Sequence, residues 1–316
     1  MPVKYQTITL EEEPSGIYST PYSNELTVVY DDKIVLYNEL GDKKEYTIEL
    51  AVSYMEPMGD YAWIIDGEKN MYKLTYVSDT ELEVSDVILR GITYIDAAPD
   101  AFGAVTSSGE LYVYGDNEKY CLGIDDKAFI DEPQKIDYIA EVKDIELTDS
   151  RTIILTETGS VYWAGKIIHS QGTEFVKRFI QLESDNQVAD IVQGDTTYLI
   201  CNEGTILKCA GYYISDKNYD SLFNADDVLS DEYIDSDVKC FSGGNEYSVW
   251  LNGKGEIFYW GLDFMQEIKS KADEIIYIQT PRRLSELSGV DMIYPCEDVV
   301  CARKGLDIYI IKKQTK

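Results

Sequence analysis

Short stretches in which apolar and polar residues alternate recur along the whole chain, separated by small residues and turn formers. This alternation is typical of β-strands with one buried face. A strand, a turn and a second strand rich in Tyr or Trp form a unit that returns roughly every 50 residues, a period that indicates a repeat architecture. The five clearest copies are TSSGELYVYG around Gly109, TETGSVYWAG around Gly159, CNEGTILKCAG around Gly204, NGKGEIFYWG around Gly255 and ARKGLDIYIIKK around Gly305. Two weaker copies precede them, IIDGEKNMYKLTY near Gly67 and VVYDDKIVLYN near Asp32.

The best-preserved unit predicts four antiparallel strands. Its segments are VKCFSGG, EYSVWLN, GEIFYWG and EIIYIQTPRRL, and the last carries Pro281, which is tolerated on an edge strand. The turn NGKG between the second and third segments is a hairpin signal, and the glycine that ends the third allows a close backbone approach or a bend. Seven such units predict an all-β fold, a seven-bladed β-propeller spanning residues 1–316 as one domain. Its blades are centred near residues 32, 68, 109, 159, 204, 255 and 305.

The last unit offers only three strands, VDMIYP, DVVCARK and LDIYIIKK. The chain opens with VKYQTITL, an alternating strand that has no unit of its own. We expect this N-terminal strand to complete the last blade, because that pairing closes the ring and removes an exposed edge.

The repeats resemble those of the regulator-of-chromosome-condensation family, which forms seven-bladed propellers. The likeness rests on GITYIDAAPDAFGAVTSSGELYVYGDNEKYCLGI, EVKDIELTDSRTIILTETGSVYWAG, QVADIVQGDTTYLICNEGTILKCAG and VKCFSGGNEYSVWLNGKGEIFYWG. It is clear from about Ile92 to Lys313 and inferred for the first 90 residues. The repeated histidine of the family is replaced here by Phe102, Arg151, Thr197, Tyr247 and Val299. The resemblance implies a binding protein, since family members include guanine-nucleotide exchange factors, modules of ubiquitin ligases and scaffolds.

Charge narrows the range of partners. The chain has 58 Asp and Glu against 28 Lys and Arg, a formal net charge of −30. Such a surface repels phosphate backbones and anionic membranes, so we expect no nucleic-acid or membrane binding. A basic protein would be attracted, although acidity can also serve solubility alone.

Candidate chemistry is sparse. The six cysteines show no CxxC spacing and His169 is the only histidine, so we expect no metal site and no cofactor. A catalytic nucleophile needs a base beside it, and neither that pairing nor a phosphate-binding loop is recognisable. Without a secretory signal or an apolar run of about 20 residues, we expect an intracellular, cytoplasmic and monomeric protein.

The turns between the first and second strands of the units share an acidic position. In a four-stranded blade these turns lie nearest the axis, on the same face as the connections between the third and fourth strands. The position holds Asp60, Asp100, Asp149, Asp195, Asn245 and Glu297, with Glu246 and Asp298 adjacent. These residues are candidates for a carboxylate ring that binds a basic partner. The alternative is that Asp and Asn only serve as turn formers there.

A longer acidic segment, residues 211–237, is expected on that same face. From Asp216 to Asp237 it has eight acidic residues against Lys217 alone, with aromatic residues interleaved. Its candidate partner-binding residues are Tyr219, Asp226, Asp227, Asp231, Glu232 and Tyr233. Two other connections, Lys166–Glu183 and Leu262–Pro281, are expected to carry the few positive clusters, KRF at 177–179 and RR at 282–283.

The sequence therefore predicts a protein-interaction scaffold that docks a basic or mixed-charge protein through an acidic, Tyr-rich face. The alternative is a guanine-nucleotide exchange factor for a Ran-like or other small GTPase. A hydrolase or lyase built on paired carboxylates is the remaining option.

Overall fold

The structure, a computed structural model, is an all-β molecule. It describes residues 5–169, 172–182, 187–193, 197–201, 206–208, 213–214, 238–244, 247–262, 277–297 and 299–312. Within these ranges the chain forms 29 strands and no helix. No helix there could cross a membrane.

The strands are numbered in chain order. The first part of the chain contains β1 (Tyr5–Thr9), β2 (Gly16–Tyr18), β3 (Leu26–Val29), β4 (Lys33–Tyr37), β5 (Lys43–Thr47), β6 (Val52–Pro57), β7 (Tyr61–Asp66), β8 (Asn70–Tyr76), β9 (Leu82–Val84) and β10 (Leu89–Arg90). The middle contains β11 (Ile92–Ala98), β12 (Ala101–Thr106), β13 (Leu111–Asp116), β14 (Phe129–Lys135), β15 (Val142–Leu147), β16 (Arg151–Thr156), β17 (Val161–His169) and β18 (Gly172–Leu182). The last part contains β19 (Val188–Gln193), β20 (Thr197–Cys201), β21 (Ile206–Lys208), β22 (Tyr213–Ile214), β23 (Val238–Gly244), β24 (Tyr247–Asn252), β25 (Glu256–Leu262), β26 (Tyr277–Ser288), β27 (Met292–Pro295), β28 (Val299–Lys304) and β29 (Asp307–Lys312).

These strands pair into seven antiparallel sheets, the number that the repeats predict. In chain order the sheets are β2-β3-β4-β5, β6-β7-β8 with β9 and β10 both on β8, β11-β12-β13-β14, β15-β16-β17-β18, β19-β20-β21, β23-β24-β25-β26 and β27-β28-β29-β1. The short strand β22 adds in parallel to β17. The fifth sheet has three strands within the described ranges.

The sheets follow one another around a common centre. The first strand of each sheet contacts the first strand of the next, in the order β2, β6, β11, β15, β19, β23 and β27. Apolar side chains fill the space between neighbouring sheets; one such cluster joins Val113 and Leu122 of the third sheet to Ile145 and Ile154 of the fourth. This is the packing of a propeller, in which each sheet buries its faces against its two neighbours.

The N-terminal strand closes the ring, as the sequence predicts. Tyr5–Thr9 pairs antiparallel with Ile311–Asp307 along its whole length. Ile8 and Leu10 then pack in one cluster with Val28 of the first sheet and Val299 of the last. The backbone N–H of Glu297 also donates to the carbonyl of Ser23, at 3.1 Å. The first and last sheets are therefore joined by both hydrogen bonds and apolar contacts.

The third sheet shows what the GDNEKYCLG motif does. Asn117 is fully buried, and its amide donates to the carbonyls of Ile124 and Lys127 at 2.6 and 2.8 Å. Its side-chain oxygen accepts from the backbone of Leu122 at 2.9 Å, and its own backbone N–H donates to Ala128 at 2.8 Å. Because every polar group of Asn117 is engaged, the connection between β13 and β14 has a defined shape.

The prediction of a connection between strands from Lys166 to Glu183 is wrong. The structure shows a long hairpin there, in which β17 runs on to His169 and β18 occupies Gly172–Leu182. The register shifts between Trp163 and Gly165, so that residues 177–179 form a bulge. The bulge contacts the third sheet: Lys177 lies 4.5 Å over the Tyr120 ring, Arg178 lies 4.7 Å over the Tyr138 ring, and Phe179 is buried. The KRF cluster thus joins two sheets.

Candidate functional site

Four of the predicted acidic positions lie within the described ranges. Asp60, Asp100, Asp149 and Glu297 occupy the turns between the first and second strands of the second, third, fourth and seventh sheets, and all four are exposed. Within the described ranges, no ion pair or hydrogen bond joins their carboxylates to one another. Asp100 has a φ of 63°, in the left-handed region that Asp tolerates better than most residues. We call the face that carries these turns the acidic face.

Asp149 is the one of the four that has a cation beside it. Lys119 Nζ lies 2.6 Å from its Oδ2. Lys119 belongs to the connection between the third and fourth strands of the third sheet, so such connections share the face of the first turns. Asp60, Asp100 and Glu297 have no ion-pair partner among the residues that the structure describes. Within the described ranges, therefore, no ion pair neutralises these three carboxylates.

The remaining predicted positions lie outside the described residues. They are Asp195, Asn245, Glu246, Asp298, Tyr219, Asp226, Asp227, Asp231, Glu232 and Tyr233. Their assignment to a partner-binding surface stays a prediction. Of the positions at which the family has histidine, Phe102, Arg151 and Val299 are buried in second strands.

A second acidic group lies deeper, where the first strands meet. Its members, which we call the axial cluster, are Tyr54, Glu56, Tyr94, Asp96, Asp144, Glu146 and Asp190. A β-bulge precedes the cluster on each contributing strand, between Val52 and Tyr54, Ile92 and Tyr94, Val142 and Asp144, and Val188 and Asp190. A bulge re-aims the side chains that follow it, so polar residues of neighbouring strands come together at the centre of the ring.

Hydrogen bonds connect the axial cluster across the sheets. The Tyr54 hydroxyl is 3.2 Å from Glu56 Oε2 and 3.0 Å from the carbonyl of Ile95 on the next sheet. Asp96 Oδ2 in turn accepts from the backbone N–H of Leu147, one sheet further on. Asp144 Oδ1 and Asp190 Oδ1 each accept from the backbone N–H of the residue that follows them, at 2.8 and 3.1 Å.

Burial changes the acidity of these groups. The carboxyl groups of Glu56, Asp96 and Asp144 are enclosed by protein, although each residue as a whole is only partly buried. Burial, followed by the charge of Asp96, holds the pKa of Glu56 well above its ordinary value. Burial raises the pKa of Asp96 to about 7, and burial together with the charge of Asp190 raises the pKa of Asp144 to about 7. Part of the axial cluster is therefore protonated near neutral pH.

The sequence analysis missed the axial cluster, although a signal for it exists. The first strands of the second, third and fourth sheets read YMEP, YIDA and DIEL, each with an acidic residue two positions after a Tyr or Asp, and the first strand of the fifth sheet reads DIVQ, in which Asp190 stands alone. That spacing places both side chains on one face of a strand. The side chains that directly follow the Tyr or Asp on these strands, Met55, Ile95, Ile145 and Ile191, are buried.

We expect the stability of the protein to fall as the pH rises from 5.5 to 8. The pKa of Asp96 is higher in the folded chain than its ordinary value of 3.8. The folded state therefore holds the proton more tightly, and this stabilisation, complete below about pH 4, is lost as the pH passes 7. Asp96→Asn keeps an acceptor for Leu147 and removes the titrating group, so the free energy of unfolding should fall between pH 5.5 and pH 8 by about 1–2 kcal/mol less in this variant than in the wild type. Urea unfolding at the two pH values measures this. The exposed Asp125→Asn serves as the control, and an Asp96→Asn protein with the wild-type pH dependence would contradict the assignment.

Metal binding finds no support in the described part of the chain. No three His, Cys, Asp or Glu side chains there are arranged to hold a metal ion. The axial cluster consists of carboxyl and phenol groups, and the Tyr54 hydroxyl donates to Glu56 within it.

Comparisons with known proteins agree with this fold. No family model matches the chain. The human E3 ubiquitin-protein ligase HERC2 is 24% identical over 210 residues, which is 60% of this chain but only 4% of HERC2. Among solved structures, Prp20p of Saccharomyces cerevisiae superimposes with a TM-score of 0.67 at 11% identity, over 92% of this chain and 81% of Prp20p. Human WBSCR16 gives a TM-score of 0.63 at 14% identity, over 82% of this chain and 75% of its own. The chain therefore shares the β-propeller fold of Prp20p and WBSCR16.

Proposed function

We propose that this propeller is a protein-interaction module that docks a basic or mixed-charge protein on its acidic face. The observation that carries the proposal is the set of exposed carboxylates of Asp60, Asp100 and Glu297, presented on one face without an ion-pair partner within the described ranges. An uncompensated carboxylate on a rigid turn keeps its affinity for an incoming Lys or Arg.

The net charge of the whole chain favours the same kind of partner. At −30, the field of the protein attracts a basic surface before contact and speeds the encounter. The axial cluster adds carboxyl groups beneath the turns, at the centre of the ring. The residues beyond the described ranges, Asp195, Asn245, Glu246, Asp298 and the 211–237 segment, belong to the same proposal.

The comparisons support a binding role without identifying a partner. Prp20p binds Gsp1p and histones. The match to HERC2 spans about 4% of that ligase, so nothing of ligase activity extends to this chain. What the propellers have in common with this chain is the architecture on which a docking face is built.

Affinity capture with matched charge variants tests the proposal. The triple variant Asp60→Asn, Asp100→Asn, Glu297→Gln removes three charges from the acidic face and should lose most of the captured partner at low salt. The control Asp32→Asn, Glu68→Gln, Glu157→Gln removes three charges from exposed hairpin turns on the opposite face and should retain it. Equal capture by both variants would remove the acidic face from consideration. Neutralising Asp226, Asp227, Asp231 and Glu232 together tests the 211–237 segment in the same assay.

A guanine-nucleotide exchange factor is the second candidate, favoured by the similarity in fold to Prp20p. An exchange factor accelerates release of labelled GDP from a Ran-like or other small GTPase when present in catalytic amounts. A scaffold forms a stoichiometric complex and leaves the release rate unchanged. GDP release therefore separates the two functions.

A further inference from the structure

A row of five aromatic rings crosses from the second sheet to the third. The ring centroids of Tyr61 and Trp63 are 5.8 Å apart, and those of Trp63 and Phe102 are 4.7 Å apart. The row continues from Phe102 to Tyr114 at 5.1 Å and from Tyr114 to Phe129 at 6.0 Å. Trp63 and Phe102 are buried between the sheets, whereas Tyr61 and Tyr114 are half-buried and Phe129 is 50% exposed. The row is anchored in the core and surfaces at Phe129.

The row lies beside the acidic turns. Asp116 is directly opposite Phe129 in the register of β13 and β14, so the two side chains share one face of the sheet. The Tyr114 ring lies beside that of Phe129, with the ring centroids 6.0 Å apart. The backbone N–H of Asp116 donates to the carbonyl of Asp100 at 2.9 Å, which brings the two aspartates next to each other.

The two ends of the row differ in their charge. At the inner end, Lys73 Nζ lies 4.3 Å over the Tyr61 ring and 5.5 Å over the Trp63 ring. At the outer end, no cation lies over Tyr114 or Phe129 among the described residues, and Asp100 and Asp116 have no ion-pair partner there. The Asp116 Oδ1 atom accepts from the backbone N–H of Glu118 at 3.0 Å. The outer end therefore combines an exposed aromatic side chain with two carboxylates that have no ion-pair partner among the described residues.

We propose that this outer end, formed by Asp100, Tyr114, Asp116 and Phe129, binds an arginine side chain in a basic segment of a protein partner. A guanidinium group stacks flat on an aromatic ring while its N–H groups donate to carboxylates, and an ammonium group cannot make both contacts in the same way. Charge complementarity selects this occupant, because the chain carries a net charge of −30 and the outer end adds two carboxylates without an ion-pair partner among the described residues. The inference rests on the proposed function and identifies the chemistry of one contact.

Fluorescence anisotropy with labelled hexa-arginine and hexa-lysine peptides tests this inference on the full chain. The two probes have the same charge, so their difference reports on the guanidinium group. We expect wild-type protein to bind hexa-arginine more tightly than hexa-lysine. Phe129→Ala and Phe129→Leu should each weaken hexa-arginine binding about three- to ten-fold and leave hexa-lysine binding within about two-fold. Phe129→Leu keeps an apolar side chain without a π face, which separates stacking from simple apolar contact.

Leu306→Ala is the control, since Leu306 is an exposed apolar residue in a hairpin turn on the opposite face. It should leave binding of both peptides unchanged. Wild-type protein that binds both peptides equally, or hexa-arginine binding that survives Phe129→Ala, overturns the arginine site. If hexa-arginine binding survives Phe129→Ala but is weakened in the Asp60→Asn, Asp100→Asn, Glu297→Gln variant, the arginine site is wrong and the proposed function of the acidic face is retained. If neither peptide binds at low salt, the arginine site is overturned, and affinity capture decides on the proposed function separately.

Discussion

Replacing Ile8 and Leu10 together by Ala should lower the free energy of unfolding by at least about 4 kcal/mol. Both side chains are buried, at 9% and 2% exposed, in the cluster that joins the last sheet to the first. Removing them leaves a cavity at the one place where the ring is closed by residues far apart in sequence. Because the total free energy of unfolding of a native protein is about 5–15 kcal/mol, the variant should unfold at a much lower urea concentration than the wild type.

Thr7→Ala is the matched control for this seam. Thr7 lies on the same strand, is exposed, and pairs with Tyr309 through its backbone only. Its replacement should cost less than about 0.5 kcal/mol. An Ile8→Ala, Leu10→Ala protein as stable as Thr7→Ala would show that β1 does not hold the ring closed.

Gly115→Ala should lower the free energy of unfolding by about 3 kcal/mol or more. Gly115 has a φ of 107°, a conformation that residues with a Cβ rarely adopt. A Cβ placed there would lie 1.9 Å from the carbonyl oxygen of Asp100 and 2.7 Å from the Cα of Ala101, so backbone on the neighbouring strand would have to move. The displaced turn carries Asp100, which means that partner binding should weaken along with stability.

Gly67→Ala provides the comparison for this glycine. Gly67 lies in a hairpin turn, and a Cβ there would meet nothing within 4 Å. Its replacement should change the free energy of unfolding by less than about 1 kcal/mol. Thermal or urea unfolding measures both variants. Equal losses of unfolding free energy in Gly115→Ala and Gly67→Ala would contradict the close-approach explanation.

Much of the fold could be predicted because it depends on local patterns. The hairpin turns at Gly109, Gly159 and Gly255 and the glycine that ends the third strand in YVYG are signals of backbone geometry, and the structure places them where the sequence does. The pairing of the N-terminal strand could also be predicted, since a three-stranded last unit leaves one edge to fill.

The site could be predicted only in part. Turn positions follow from strand boundaries, so Asp60 and Asp100 fall where expected. The axial cluster depends on bulges in the first strands, and a bulge has no clear sequence signature in VSY, ITY, VKD or VAD. The KRF bulge is another case. The sequence predicts a positive cluster in a connection, whereas in the structure Lys177 and Arg178 contact two tyrosines of the neighbouring sheet. Predicting a contact between two sheets requires the strand register of both sheets, and the sequence of one segment alone does not determine it.

The role of the acidic face is tested most directly by measuring how salt affects binding of the captured partner. Calorimetry between 50 and 300 mM salt should compare wild-type protein with the Asp60→Asn, Asp100→Asn, Glu297→Gln variant. If the acidic face docks a basic surface, wild-type affinity falls steeply with salt, and the variant binds more weakly at low salt with a flatter dependence. Two superimposable curves would contradict the proposal that these carboxylates contact the partner.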